Sequence, residues 1–136
     1  ISLATLPEVN AMTDVTGFGL LGHLLEICKA SNVSASVSRS LVPILDEYLY
    51  DYCDKGAVPG GSNRNWESCK NDIVGSNLYD KEIFCDPQTS GGLLITVQPK
   101  QRAIVEKILK THDCLFRPIG SVVPNKADQP QIHISG

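Results

Sequence analysis

The chain has 136 residues, 42% of them hydrophobic and 20% charged, with a formal net charge of −3. That length holds one ordinary domain with a real core, and that composition excludes a disordered chain. The lack of a dense basic run argues against nucleic acid as the main partner, and the apolar runs are too short for a membrane span. No signal-peptide pattern is present. Five cysteines stand at 28, 53, 69, 85 and 114, an odd number at wide spacing with no Cys-x-x-Cys pair. Neither a zinc site nor a disulfide framework follows, and reduced thiols in a cytoplasmic protein are expected, with Cys28 in the core.

Residues 1–8 read as a lead-in with a break at Pro7, and a start at Ile1 leads us to expect a piece of a longer protein. Val9 to Thr13 predicts a strand. Leu20, Leu21, Leu24, Leu25 and Cys28 recur at helical spacing, which predicts a helix over Gly19 to Ser31. Gly22 inside it costs about 1 kcal/mol relative to alanine, so close packing or ligand approach is expected there. Val33 to Ser38 alternates apolar and polar residues, a strand with one buried face. Ile44, Leu45, Tyr48, Leu49 and Tyr52 share one stripe and predict a helix over Ile44 to Cys53. Pro43 would precede it, Gly56 would end it, and the tyrosines would pack at the core edge.

Pro59-Gly60-Gly61 marks a loop, and Ser62 or Asn63 is placed to cap a short helix through about Ile73. Phe84 to Gly92 is dense in small and polar residues. Leu93 to Val97 follows as an apolar strand, expected at the centre of a sheet. Pro99 opens a helix with the face Ile104, Val105, Ile108 and Leu109. Leu115 to Val123 reads as a strand that Pro118 places near an edge or bulges, and Gln131 to Ile134 adds a last short strand. The fold class is α+β: a mixed β-sheet with helices packed on it, in a single domain over 1–136 with a core over 9–123 and a tail over 124–136.

Chemistry gathers around Thr13-Asp14-Val15-Thr16-Gly17-Phe18-Gly19, where a strand meets a helix through a glycine-broken turn. Backbone N–H groups at a helix start favour phosphate, and Asp14 offers the hard oxygens that Mg²⁺ prefers. From the residues alone, Asp14 is open between metal ligand and turn or capping residue. Gly17 and Gly19 either serve only the turn or aim N–H groups at an anion, and Thr13 and Thr16 are capping hydroxyls or phosphate donors. Arg64, in its glycine-rich setting, either grips phosphate or is a solvated surface charge. Thr13, Thr16, Gly17, Gly19 and Arg64 are thus the candidate phosphate-side residues, and Asp14 the candidate metal ligand. His23 reads as a hydrogen-bonding partner to structure. Asp86, Gln88, Thr89 and Ser90 either line a groove or satisfy a tight Asp-Pro turn, and nothing near Cys85 argues for a lowered thiol pKa.

Three stretches, 13–23, 58–65 and Cys85-Asp86-Pro87-Gln88-Thr89-Ser90-Gly91-Gly92-Leu93-Leu94, together resemble the carboxy-terminal half of the selenide, water dikinase (selenophosphate synthetase) family. The resemblance runs over about Val9 to Val123, and that family belongs to a superfamily similar to aminoimidazole ribonucleotide synthetase. It implies an amino-terminal ATP-binding half, a homodimer, and conversion of selenide, ATP and water to selenophosphate, AMP and orthophosphate. It also implies that Asp14 binds Mg²⁺ beside the nucleotide phosphates. The family's reactive Cys or selenocysteine and its Lys lie near the amino terminus, so no catalytic residue is expected in this chain, which alone would be inactive. Ser62 stands where the family usually has Thr. Two alternatives are another enzyme of the superfamily, of thiamine-phosphate kinase or hydrogenase-maturation type, and a binding module without chemistry.

Overall fold

Alternation and helical periodicity become two sheets and a helical layer in the structure, a computed structural model that describes residues 3, 6, 9–125 and 129–136. The expected break at Pro7 lies outside the described residues. β1 (Val9–Asp14) pairs antiparallel with β4 (Leu93–Val97), setting Asp14 opposite Leu93 and Thr13 opposite Leu94. This corrects the expected central place of β4: among the described residues the two strands form a separate ribbon. A short apolar run fits a ribbon as well as a sheet centre. Here Leu94 is buried while Leu93 and Met12 stay exposed on the other face.

The second sheet has the order β3 (Ile73–Val74), β6 (Ile132–Ser135), β2 (Val33–Ser38), β5 (Gly120–Pro124). β6 runs parallel to both β3 and β2, while β5 is antiparallel to β2, which gives the expected mixed sheet. Ile132 and Ile134 are buried and alternate with exposed His133 and Ser135, so the last strand sits inside the sheet. β5 is exposed along its whole length at the edge, and begins beyond Pro118.

α1 (Gly19–Ser31) buries Leu21, Leu24, Leu25, Ile27 and Cys28 in a core shared with Val37, Ile73, Phe84, Ile132 and Ile134. Burying each large aliphatic side chain contributes about 1.5–3 kcal/mol, enough for this face to fix the helix on the sheet. A Cβ on Gly22 would lie 2.6 Å from the Phe18 Cβ, so packing accounts for that glycine.

α2 is shorter than expected, Tyr48–Asp54. The Asp46 carboxylate accepts the Tyr48 N–H at 3.2 Å, an Asx-type start that sets the helix beginning later than the apolar stripe implies. That stripe faces outward: Leu45 is 89% exposed, and Tyr48 and Tyr52 are about half exposed and pack edge-on against each other. α3 (Gly60–Cys69) starts at Gly60, after extended Pro59, and passes through a 3₁₀ turn at Lys70–Asp72 into β3. A π-helical turn at Asp80–Phe84 carries no periodicity in the sequence. It is held by the buried Asp80 carboxylate, which accepts from the Arg39 guanidinium at 2.8 Å and from the Asn77 N–H at 2.9 Å. α4 (Arg102–Thr111) follows a 3₁₀ turn at Pro99–Gln101, and of its predicted face only Val105 is fully buried. Among the described residues no helix is long and apolar enough to cross a membrane.

Candidate functional site

The three glycine-rich stretches, far apart in sequence, interlock. Gly19 begins α1 at φ +70, a left-handed angle that favours glycine, and a Cβ there would sit 2.7 Å from the Cys85 carbonyl carbon. Asn65, on α3, donates through Nδ2 to the Gly17 carbonyl at 2.8 Å and the Cys85 carbonyl at 2.9 Å, joining all three stretches with one side chain. The Ser62 hydroxyl, fully buried, donates to Asp86 Oδ1 at 3.1 Å, and Gln88 Nε2 donates to Asp86 Oδ2 at 3.0 Å. The Gln88 N–H then donates to the Thr16 carbonyl at 3.0 Å, and Gly61 leaves no room for a Cβ beside Pro87. Buried polar groups need such partners, so this network fixes the loops rather than decorating them.

What the network holds open is a cavity of about 270 Å³ lined by Asp14, Val15, Thr16, Thr89, Ser90, Gly91, Gly92 and Leu93. Asp14 closes β1, exposed at the mouth, and its carboxylate has no hydrogen bond or ion pair with any described residue. The Val15 N–H donates to the Gly92 carbonyl at 2.9 Å, which draws the two walls together. Gly92 has φ +83 and open space where a Cβ would be.

Asp14 and Thr16 are thus brought to one cavity, joined by Thr89 and Ser90, whose place the sequence left undecided. Thr13, Gly17, Gly19 and Arg64 are not part of its lining. Gly17 and Gly19 serve the Asn65 and Cys85 contacts, while the Thr13 hydroxyl points back to the Asp14 carbonyl at 3.4 Å. Arg64 is exposed on α3 and pairs with no described residue. Asp86 and Gln88 are spent on the turn. Asn65 was not anticipated: its signal is its place in the Asn-Arg-Asn run after the glycine pair, which reads no differently from any polar helix start. His23 is a hydrogen-bonding partner as expected, although buried.

The donor set is hard: one carboxylate and three hydroxyls, with no imidazole or thiolate. Mg²⁺ takes one or two carboxylates, keeps several waters and accepts phosphate oxygens, so these residues fit a cation shared with a phosphate. Among the described residues no three His, Cys, Asp or Glu gather to hold a metal by themselves. The cysteines stand apart from this chemistry. The Cys85 sulfur lies 3.9 Å from that of Cys69 in the buried interior, and this contact together with burial pushes the Cys85 thiol up, away from thiolate character.

The chain is 43% identical over 133 residues to a selenide, water dikinase of Haemophilus ducreyi, covering 98% of this chain and 38% of that protein. It is 45% identical over 131 residues to the selenide, water dikinase of Yersinia pestis, covering 96% and 37%. The chain therefore spans a little over a third of the length of the curated relatives it matches. Among solved structures it resembles E. coli HypE, a hydrogenase maturation protein, with TM-score 0.66 at 20% identity over 99% of this chain and 34% of that one. It also resembles thiamine-monophosphate kinase from Stenotrophomonas maltophilia, with TM-score 0.57 at 21% identity over 95% and 32%. Identities that low establish a common fold alone. Residues 1–133 match the family described as AIR synthase related protein, C-terminal domain, and the chain belongs to that family.

Proposed function

We propose that this chain is the carboxy-terminal domain of a selenide, water dikinase, which makes selenophosphate from selenide, ATP and water and releases AMP and orthophosphate. The observation that carries the reading is the Asp14 carboxylate, which has no hydrogen bond or ion pair with any described residue, at the mouth of a hydroxyl- and glycine-lined cavity. Relatives of that name at 43% and 45% identity support the choice of substrate. A Mg²⁺ bound there would supply charge neutralisation for the nucleotide's phosphates, and phosphoryl transfer depends mainly on positioning and electrostatics. In this reading Asp14 offers the anionic ligand, while Thr16, Thr89 and Ser90 place oxygens around it. Gly91 and Gly92 let a phosphate chain approach the backbone, and Arg64 is available to phosphate that extends beyond the cavity. Thr13, Gly17 and Gly19 act on the phosphate side by shaping the turn. The ATP-binding half, the reactive nucleophile and the homodimer contacts belong to the longer protein, in the cytoplasm, and the chain alone turns over no selenide.

The test is Asp14→Ala in the intact protein. Selenide- and ATP-dependent selenophosphate formation should fall by about a hundredfold or more, with altered Mg²⁺ dependence and an unchanged melting curve. Unchanged kinetics across a magnesium titration would remove Asp14 from the site. ATP turnover indifferent to selenide would instead assign the chain to another activity on this fold.

A further inference from the structure

A row of three side chains runs from the cavity rim into α1. Thr16 Oγ1 lies 3.1 Å from His23 Nε2, and His23 Nδ1 lies 2.9 Å from Glu26 Oε2. The His23 side chain is 9% exposed and that of Glu26 58%, while Thr16 lines the cavity. The Phe18 ring covers the imidazole at 5.5 Å. The Thr16 backbone is held as well, its carbonyl accepting the Gly19 and Gln88 N–H groups at 3.0 Å each.

The direction of each bond follows from chemistry. An ionised carboxylate only accepts, so Nδ1 carries the proton shared with Glu26. In the neutral imidazole Nε2 is then an acceptor, and the Thr16 hydroxyl must donate to it. With its one proton committed inward, Thr16 Oγ1 presents only lone pairs to the cavity, two residues from Asp14. A hydroxyl turned the other way would aim its positive end at any cation there.

We propose that His23 and Glu26 are positioning residues that hold the Thr16 hydroxyl as an acceptor toward the cavity, making it a second oxygen ligand beside Asp14 for a divalent cation. The inference rests on the reading of Asp14 as a cation ligand and extends it to residues that never touch the ion. Outer partners of this kind change metal affinity by about 10–100-fold.

A Mn²⁺ titration of the intact protein, following free ion by electron paramagnetic resonance, tests it. Thr16→Val, Glu26→Ala and His23→Leu should each weaken Mn²⁺ by about tenfold or more. Thr16→Ser should keep binding, and so should His23→Gln, whose amide oxygen can accept the hydroxyl proton near the Nε2 position. Nitrogen-15 spectra of His23 should show a protonated Nδ1 and a bare Nε2. Thr16→Val and Glu26→Ala change exposed side chains, so the test stands even where His23→Leu fails to fold. Asp14→Ala separates the two claims. If it leaves Mn²⁺ affinity unchanged, the cation reading fails and this inference with it. If it weakens binding while Thr16→Val and Glu26→Ala do not, or if Nε2 carries the proton, the His23–Glu26 assignment alone is overturned.

Discussion

Gly17 and Gly19 share one turn and one motif, yet the backbone asks different things of them. Gly19 has φ +70 and touches the Phe84 and Cys85 backbone, which cannot move without dislodging the π-helical turn. Gly17 has no positive φ, and nothing lies within 4 Å of where its Cβ would be. Gly19→Ala should therefore destabilise the protein by about 2–4 kcal/mol, from left-handed strain and overpacking combined. Gly17→Ala should stay within about 0.5 kcal/mol. Urea melts of the two variants check this, and equal effects would mean that the Cys85 contact does not constrain the turn. The sequence marks both glycines alike, because the partner that distinguishes them lies some 65 residues away in the chain and leaves no local trace. The place of Asp14 at the cavity was legible for the opposite reason: a strand end, a glycine turn and a carboxylate are all local features.

At the scale of elements, periodicity located α1, β2 and β6 well, since one face of each is buried in the core. It misled at α2, where an apolar stripe faces outward and Asp46 sets the start, and it was blind to the Asp80–Phe84 turn, which a buried ion pair holds. On α2, burial first and then the charge of the Glu82 carboxylate push the Cys53 thiol up to about 11. Thiolate is the reactive form, so at pH 8 exposed Cys114 should alkylate first and Cys53 lag, speeding as the pH rises toward 11. Cys28, Cys69 and Cys85, all buried, should label only on unfolding. Because the folded thiol titrates above its unfolded value of 9.0, its share of stability is present below pH 9 and is lost between about 9 and 11. Peptide mapping after timed iodoacetamide labelling reads the order, and fast labelling of Cys53 at pH 8 would show that burial does not hold its thiol protonated.

Across the whole molecule, the last strand joins parts that the sequence order keeps apart. β3 leads out of α3, which carries Asn65 and Ser62, while β2 follows α1, which carries Gly19 and His23; in the sheet these two strands meet only through β6. The fold class was legible because the pattern of strands and helices permits little else, whereas this insertion was not, since four residues of plain alternation look like a tail. Ile132 has no exposed surface and faces both neighbours, opposite Ala35 and Ile73. Ile132→Ala should cost about 2–5 kcal/mol, through lost transfer energy and the cavity left behind. Val122→Ala, on the exposed edge strand β5, should cost no more than about 0.5 kcal/mol. Chemical denaturation should show the Ile132 loss as a lower midpoint at unchanged slope, because the same surface still unfolds in one step. A loss below about 1 kcal/mol would contradict a central β6. The cavity would then owe its shape to Asn65 and the Asp86 turn alone, with the sheet serving only as a support beneath them.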